Sequence, residues 1–139
     1  MDKMEIIVCE NFYLEYEKII QNQDYEDIEL CIYPSLCDQK SRKKEVEKML
    51  RDRNNESSLL ICSKSCDTFK LLPEKNNIKT STGNYCFSHL ISEDFLNHLI
   101  SKGSYILSSG WLKNWERHVN LMGFDKKGAR KFFQESCNE

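Results

Sequence analysis

Short apolar runs alternate with amphipathic helical patterns along the whole chain, and this alternation constrains the fold more than any other feature. Between the runs, apolar residues recur at helical spacing, as at Phe12, Tyr16 and Ile19. Strands that are separated by single helices form βαβ units around a parallel sheet. We therefore predict an α/β domain with a Rossmann-like or flavodoxin-like parallel sheet of about five strands flanked by helices. The predicted strands lie at residues 4–9, 27–33, 58–62, 78–81 and 104–108.

Length and charge limit the organisation and the partners of the chain. Its 139 residues suit a single domain over residues 1–139. The net charge of −2 provides no basic excess for phosphates, so we expect no nucleic-acid partner. Apolar runs such as 59–62 are far shorter than the roughly 20 residues of a membrane span, so we expect no membrane binding. A strand-like run directly follows the amino terminus, which predicts no signal peptide and a cytoplasmic location.

Seven cysteines are the anomaly of the composition. Thiols in the cytosol stay reduced, so these cysteines are expected to be buried hydrophobic residues or ligands. Cys31 and Cys137 fall within predicted elements and are expected to be fillers. The other five end or follow predicted strands, and ligands of open parallel sheets bind at the carboxyl ends of the strands. These five are Cys9, Cys37, Cys62, Cys66 and Cys86.

Clustered thiolates favour soft or borderline metals, namely zinc, iron–sulfur clusters or the metal of a larger cofactor. Cys62, Cys66 and Cys86 could form a tetrahedral zinc site together with His89. Alternatively, Cys9 could join Cys66 and Cys86 to hold an iron–sulfur cluster or to contact a larger cofactor.

Other residues near the predicted strand ends are candidates for contact with a cofactor. Cys37 follows the second strand, and the Gly110-Trp111 turn follows the fifth, where Trp111 could cover a planar cofactor. His98 and His118 lie on predicted helices among polar residues, and we expect both to face solvent.

Several of these residues also occur in the order of a known pattern. Val8-Cys9, Leu59-Leu60-Ile61 before Cys66, Cys86, and the segment Tyr105-Ile106-Leu107-Ser108-Ser109-Gly110-Trp111 follow one another over nearly the whole chain. This pattern resembles domain of unknown function 1638, a family of methanogens and other anaerobes. The resemblance implies site roles for Cys9, Cys66, Cys86, Gly110 and Trp111, and a link to corrinoid-dependent methyl metabolism. It also implies that related domains are input ends of longer signalling proteins.

The sequence departs from the family pattern at three places. Ser109 stands where a proline is usual, Asn84-Tyr85 replaces a usual His-Asp, and Cys62 replaces a common glycine. The family usually continues with a further strand. The chain could therefore be an N-terminal domain excised from a longer protein, or it could complete its sheet with a partner such as a second copy of itself.

Three functional hypotheses follow. The first is a sensory or accessory domain in anaerobic metabolism that binds a metal or metallocofactor and acts on a downstream domain or partner protein. The second is an enzyme of corrinoid-linked methyl transfer that uses the same cysteine-lined crevice. The third is an interaction domain whose thiols are merely buried. We favour the first, in which the domain is not an enzyme by itself.

Overall fold

The computed structural model describes residues 3–137, and side chains as far as residue 135. It confirms the α/β class, because four parallel strands form one sheet that is flanked by helices. The strands are β1 (Met4–Cys9), β2 (Ile28–Tyr33), β3 (Ser58–Ser63) and β4 (Lys79–Gly83). Their order is β2-β1-β3-β4, which is the flavodoxin-like order without its fifth strand.

Within residues 3–137, seven α-helices lie between and after the strands. They are α1 (Tyr13–Asn22), α2 (Lys43–Asp52), α3 (Asp67–Lys70), α4 (Glu93–Ser101), α5 (Ser109–Lys113), α6 (Trp115–Leu121) and α7 (Lys126–Cys137). Two short 3-10 helices cover Lys40–Arg42 and Cys86–His89. None of the helices within residues 3–137 is long and apolar enough to cross a membrane.

The two central strands carry the most deeply buried side chains. β1 pairs with β2 from Met4 opposite Ile28 to Cys9 opposite Tyr33, and it pairs with β3 on its other side. Parallel strands covered on both faces are buried throughout, which explains their continuous apolar runs. Side chains of the sheet and of α2 form the main core, whose fully buried members include Ile7, Leu60, Val46 and Leu50.

Local signals in the sequence set the ends of the later helices. The Ser92 hydroxyl accepts a hydrogen bond from the backbone N–H of Phe95 and thereby caps α4. Gly103 follows that helix with a φ of 75°, a left-handed conformation that glycine adopts without strain. Asp125 caps α7 by accepting a 2.6 Å hydrogen bond from the N–H of Gly128.

The prediction of a fifth strand at residues 104–108 is wrong, because this segment pairs with none of the described strands. Its apolar side chains find partners outside the sheet, since the Tyr105 ring lies 5.5 Å from the Phe133 ring of α7. The segment delivers Ser109 to α1, where the Ser109 N–H donates a 2.7 Å hydrogen bond to Glu15. The chain therefore crosses towards the carboxyl end of β1 instead of extending the sheet beyond β4.

Candidate functional site

Five cysteines line one small cavity at the carboxyl ends of the strands, and we call it the thiol cavity. They are Cys9, Cys37, Cys62, Cys66 and Cys86. The cavity has a volume of about 40 Å³ and is closed by apolar and aromatic side chains, among them Phe12 and Tyr33. The prediction that these five thiols gather at one edge of the sheet is therefore confirmed.

Each of the five thiols reaches the cavity from a different backbone setting. Cys9 is the last residue of β1, and Cys62 lies one residue before the end of β3, so the sheet fixes both. Cys66 precedes α3, and its N–H donates a 3.1 Å hydrogen bond to the Ser63 carbonyl. Cys86 begins a 3-10 helix, and its Sγ lies 3.7 Å from the Ser63 hydroxyl. Cys37 lies in the loop after β2 and is exposed at the mouth.

Two further cysteines, Cys31 and Cys137, are not among these five, and only the side chain of Cys31 is described. Cys31 is 7% exposed and packs in the main core, which confirms its expected role as a filler. Its Sγ accepts a 2.7 Å hydrogen bond from Arg53 Nε. The side chain of Cys137 lies outside the described residues.

Burial raises the pKa of four cavity thiols, which favours their protonated form; they are Cys9, Cys37, Cys62 and Cys86. Removal from water raises the pKa of Cys62 to about 12 and raises the pKa of Cys9 still further. Burial also raises the pKa of Cys86, and the charges of neighbouring thiolates raise all three pKa values further. A soft metal ion that binds here must therefore displace protons from neutral thiols.

The described side chains do not form a finished metal site. Within residues 3–135, no group of three or more His, Cys, Asp and Glu side chains is placed to hold a metal ion. His89 Nδ1 lies 3.4 Å from the Ser81 hydroxyl, and its Nε2 lies 3.3 Å from the Cys62 carbonyl oxygen. A ligand role for His89 thus requires that its ring give up one of these contacts.

Volume distinguishes between the candidate cofactors. A cavity of about 40 Å³ is of the size that holds one ion or a few water molecules. Sites for larger organic ligands generally occupy about 300–1,000 Å³. A corrinoid or haem ring does not fit the thiol cavity as it stands, whereas a single soft metal ion does.

Gly110 and Trp111 lie beside the thiol cavity and do not line it. A Cβ on Gly110 would fall 2.7 Å from Asn11 Cα and closer still to the Glu10 carbonyl oxygen, so glycine permits α5 to touch the loop after β1. The Trp111 ring stacks on the His118 ring, with 4.7 Å between their centroids. Trp111 and Cys37 meet in a neighbouring groove of about 530 Å³.

A charged cluster lies next to the cavity, and we call it the Arg117 network, consisting of Glu10, Asp38, Arg117 and His118. The Arg117 guanidinium donates a 2.7 Å hydrogen bond to Glu10 and a 2.8 Å hydrogen bond to Asp38. His118 Nδ1 lies 3.2 Å from Asp38 Oδ2. The network joins α6 to the loops that follow β1 and β2.

The expectation that His118 faces solvent is wrong, because its side chain is only 6% exposed. Burial lowers its pKa from the ordinary value of 6.5, the Asp38 carboxylate raises it, and the Arg117 charge lowers it again. Its Nε2 atom is buried without a hydrogen-bond partner among the described residues. The neutral imidazole is therefore held between a carboxylate and the Trp111 ring.

The sequence contains one signal for the acidic half of the Arg117 network. Glu10 and Asp38 each directly follow a cysteine of the thiol cavity, namely Cys9 and Cys37. Charged residues at the ends of neighbouring parallel strands are expected to meet. Their partner Arg117 lies on a helix more than 75 residues away in the chain, and no spacing rule links it to them.

Comparison of the chain with protein-family models, with curated proteins and with solved structures finds no match. The resemblance to a family of methanogens and anaerobes therefore stays a prediction.

Proposed function

We propose that this domain binds a soft metal through thiolates of the thiol cavity, and that it has a sensory or accessory role. The metal would be a single zinc ion, which the cavity has room for, or an iron–sulfur cluster, for which the turns that carry Cys66 and Cys86 would have to move outwards. The observation that carries the proposal is the gathering of five cysteines from the ends of all four strands around one cavity. Cysteines that served only as core fillers would scatter over strand interiors and helix faces, as Cys31 does.

The thiols differ in how far they must move to bind a metal. Cys9 and Cys62 belong to strands and provide a fixed pair, whereas Cys66 and Cys86 stand on turns outside the sheet. Closing of these two turns onto the fixed pair would complete a thiolate set, with His89 as the alternative fourth ligand. Zinc and iron both favour such ligands.

The position of the Arg117 network supports the sensory part of the proposal. Glu10 and Asp38 are the immediate neighbours of two cavity thiols, and both hold the same guanidinium on α6. A shift of the loop that carries Cys37 on metal binding would therefore change the support that the adjoining Asp38 gives to α6. A further domain, a partner protein or a second copy of the chain that contacts α6 would receive this change.

The test is purification without oxygen, followed by metal analysis and an absorption spectrum. We expect bound zinc without colour, or iron with the broad absorption of a cluster, and loss of that metal in the Cys62→Ser and Cys66→Ser variants. Cys31→Ser is the matched control, because it removes a buried thiol that lies outside the thiol cavity.

Two results would contradict the proposal. One is protein without metal that also fails to take up zinc or iron in reconstitution. The other is an equal loss of metal from Cys31→Ser and Cys62→Ser. Turnover of a methyl donor by metal-free protein would favour the enzyme hypothesis instead.

A further inference from the structure

A large apolar groove lies between α5, α6 and α7, and none of the residues that line it lines the thiol cavity. Its volume is about 650 Å³. The rings of Trp111, Trp115 and Phe133 line it, and the buried side chains of Val119 and Ala129 lie at its base. This volume is within the range of about 300–1,000 Å³ that is usual for small-molecule sites.

The rim of the same groove is cationic. Lys126, Lys127 and Arg130 stand along it on the first turns of α7. Lys126 is engaged in a 2.8 Å ion pair with Glu116. Lys127 and Arg130 have no ion-pair partner among the described side chains. An occupant that carries an anionic group would supply a negative charge opposite these two cations.

We propose that this groove binds a small amphipathic anion, a molecule with an apolar chain or ring system and one carboxylate, sulfonate or phosphate group. The apolar body would lie against the indole rings, where its burial contributes about 25 cal/mol per Å² of apolar surface. The anionic group would lie between Lys127 and Arg130. The inference stands apart from metal binding, since the groove and the thiol cavity share no lining residue.

The chain contains its own reporter for this test, because its only two tryptophans both line the groove. We would titrate the full chain with dodecanoate below its micelle concentration and follow tryptophan emission. The counterpart probe is dodecyltrimethylammonium, which has the same chain and the opposite charge. We expect a saturable change at one dodecanoate per chain, and binding of the cationic probe at least about tenfold weaker.

Charge reversal locates the anionic end of the ligand. The double variant Lys127→Glu, Arg130→Glu is expected to weaken dodecanoate binding about tenfold or more, because two exposed cations become anions. Lys43→Glu, Lys44→Glu is the matched control on α2, where the same change in net charge is expected to have little effect. Circular dichroism of both variants checks that the fold is retained.

Three outcomes would overturn the proposal. The first is the absence of any saturable change in emission with dodecanoate. The second is equal affinity for the two probes, or equal affinity of the two charge-reversed variants, since either would make the contact non-specific. The third is self-association of the chain in sedimentation, accompanied by tryptophan emission that changes with protein concentration. A second copy of the chain would then cover the groove.

Discussion

Replacement of Arg117 by methionine tests whether the Arg117 network holds α6 in place. Arg117→Met keeps most of the apolar stem and removes the hydrogen bonds of 2.7 Å to Glu10 and 2.8 Å to Asp38. The carboxylates are left with side-chain exposures of only 19% and 8%. Loss of one partner from a buried ion pair costs about 3–5 kcal/mol. Because Arg117 itself is 34% exposed, we expect about 2–3 kcal/mol.

The chain offers a matched control of the same chemistry. Arg42 donates to Glu45 over the same 2.7 Å, but these side chains are 42% and 52% exposed. Arg42→Met is therefore expected to cost much less than Arg117→Met, because water screens this exposed pair. Urea unfolding followed by circular dichroism measures both free energies of unfolding. Equal losses for the two variants would refute the reasoning, because burial would then not decide the strength of the pair.

The same substitution changes the titration of His118. The positive charge of Arg117 lowers the pKa of His118, so its removal raises that pKa. Proton NMR of the three histidine rings, with His118→Gln for assignment, measures the change. An unchanged pKa would show that the guanidinium does not act on the imidazole.

Three further predictions concern the loop after β1 and the thiols. Gly110→Ala is expected to destabilise the fold by about 3 kcal/mol or more, because its Cβ would meet backbone atoms of Glu10 and Asn11 that cannot swing aside. Gly123→Ala has open space around its Cβ and a φ of 89°, so it should cost only about 1–2 kcal/mol of backbone strain. Urea unfolding that shows equal losses, or the larger loss for Gly123→Ala, would contradict the close approach. The metal-free protein is expected to lose stability as the pH rises from about 9 to about 12, because folding raises the pKa of several buried thiols and the unfolded chain releases their protons first. Folding raises the pKa of Cys62 from 9.0 to about 12, so the share of Cys62 in this loss has an upper bound of about 4 kcal/mol. The loss is expected to be shallower in Cys62→Ser, and an equally steep loss would show that Cys62 does not contribute. Zinc binding is expected to release about one proton per ligating thiol, so the affinity for zinc should rise with pH. Competition with a chelator at several pH values measures this affinity. An affinity independent of pH would exclude protonated thiols as the ligands.

The sequence was sufficient to predict the parallel sheet and the gathering of the thiols, because both depend on where the strands end. Three apolar runs and the polar run of β4 are strands. The ends of parallel strands meet at one edge, so cysteines at those ends were expected to gather. Residues 104–108 show the limit of this reasoning. Their apolar pattern suits a strand, yet Tyr105 packs on rings of α7 that no local pattern connects with it.

The Arg117 network was beyond the reach of sequence patterns for a related reason. Burial of Arg117 and His118 depends on carboxylates that lie in two distant loops, and the polar neighbours of both residues on α6 suggested a solvated face. Whether a charged side chain is buried depends on the partner that tertiary structure provides. The distance along the chain hides that partner.

The stack of Trp111 on His118 connects the two proposed binding sites. Trp111 lines the apolar groove, while His118 belongs to the Arg117 network, whose carboxylates adjoin two cavity thiols. A metal that changes the affinity of the groove for dodecanoate by some factor must have its own affinity changed by dodecanoate by the same factor. Two titrations, each with and without the other ligand, would therefore give one coupling constant. A factor of one would mean that the aromatic contact transmits nothing.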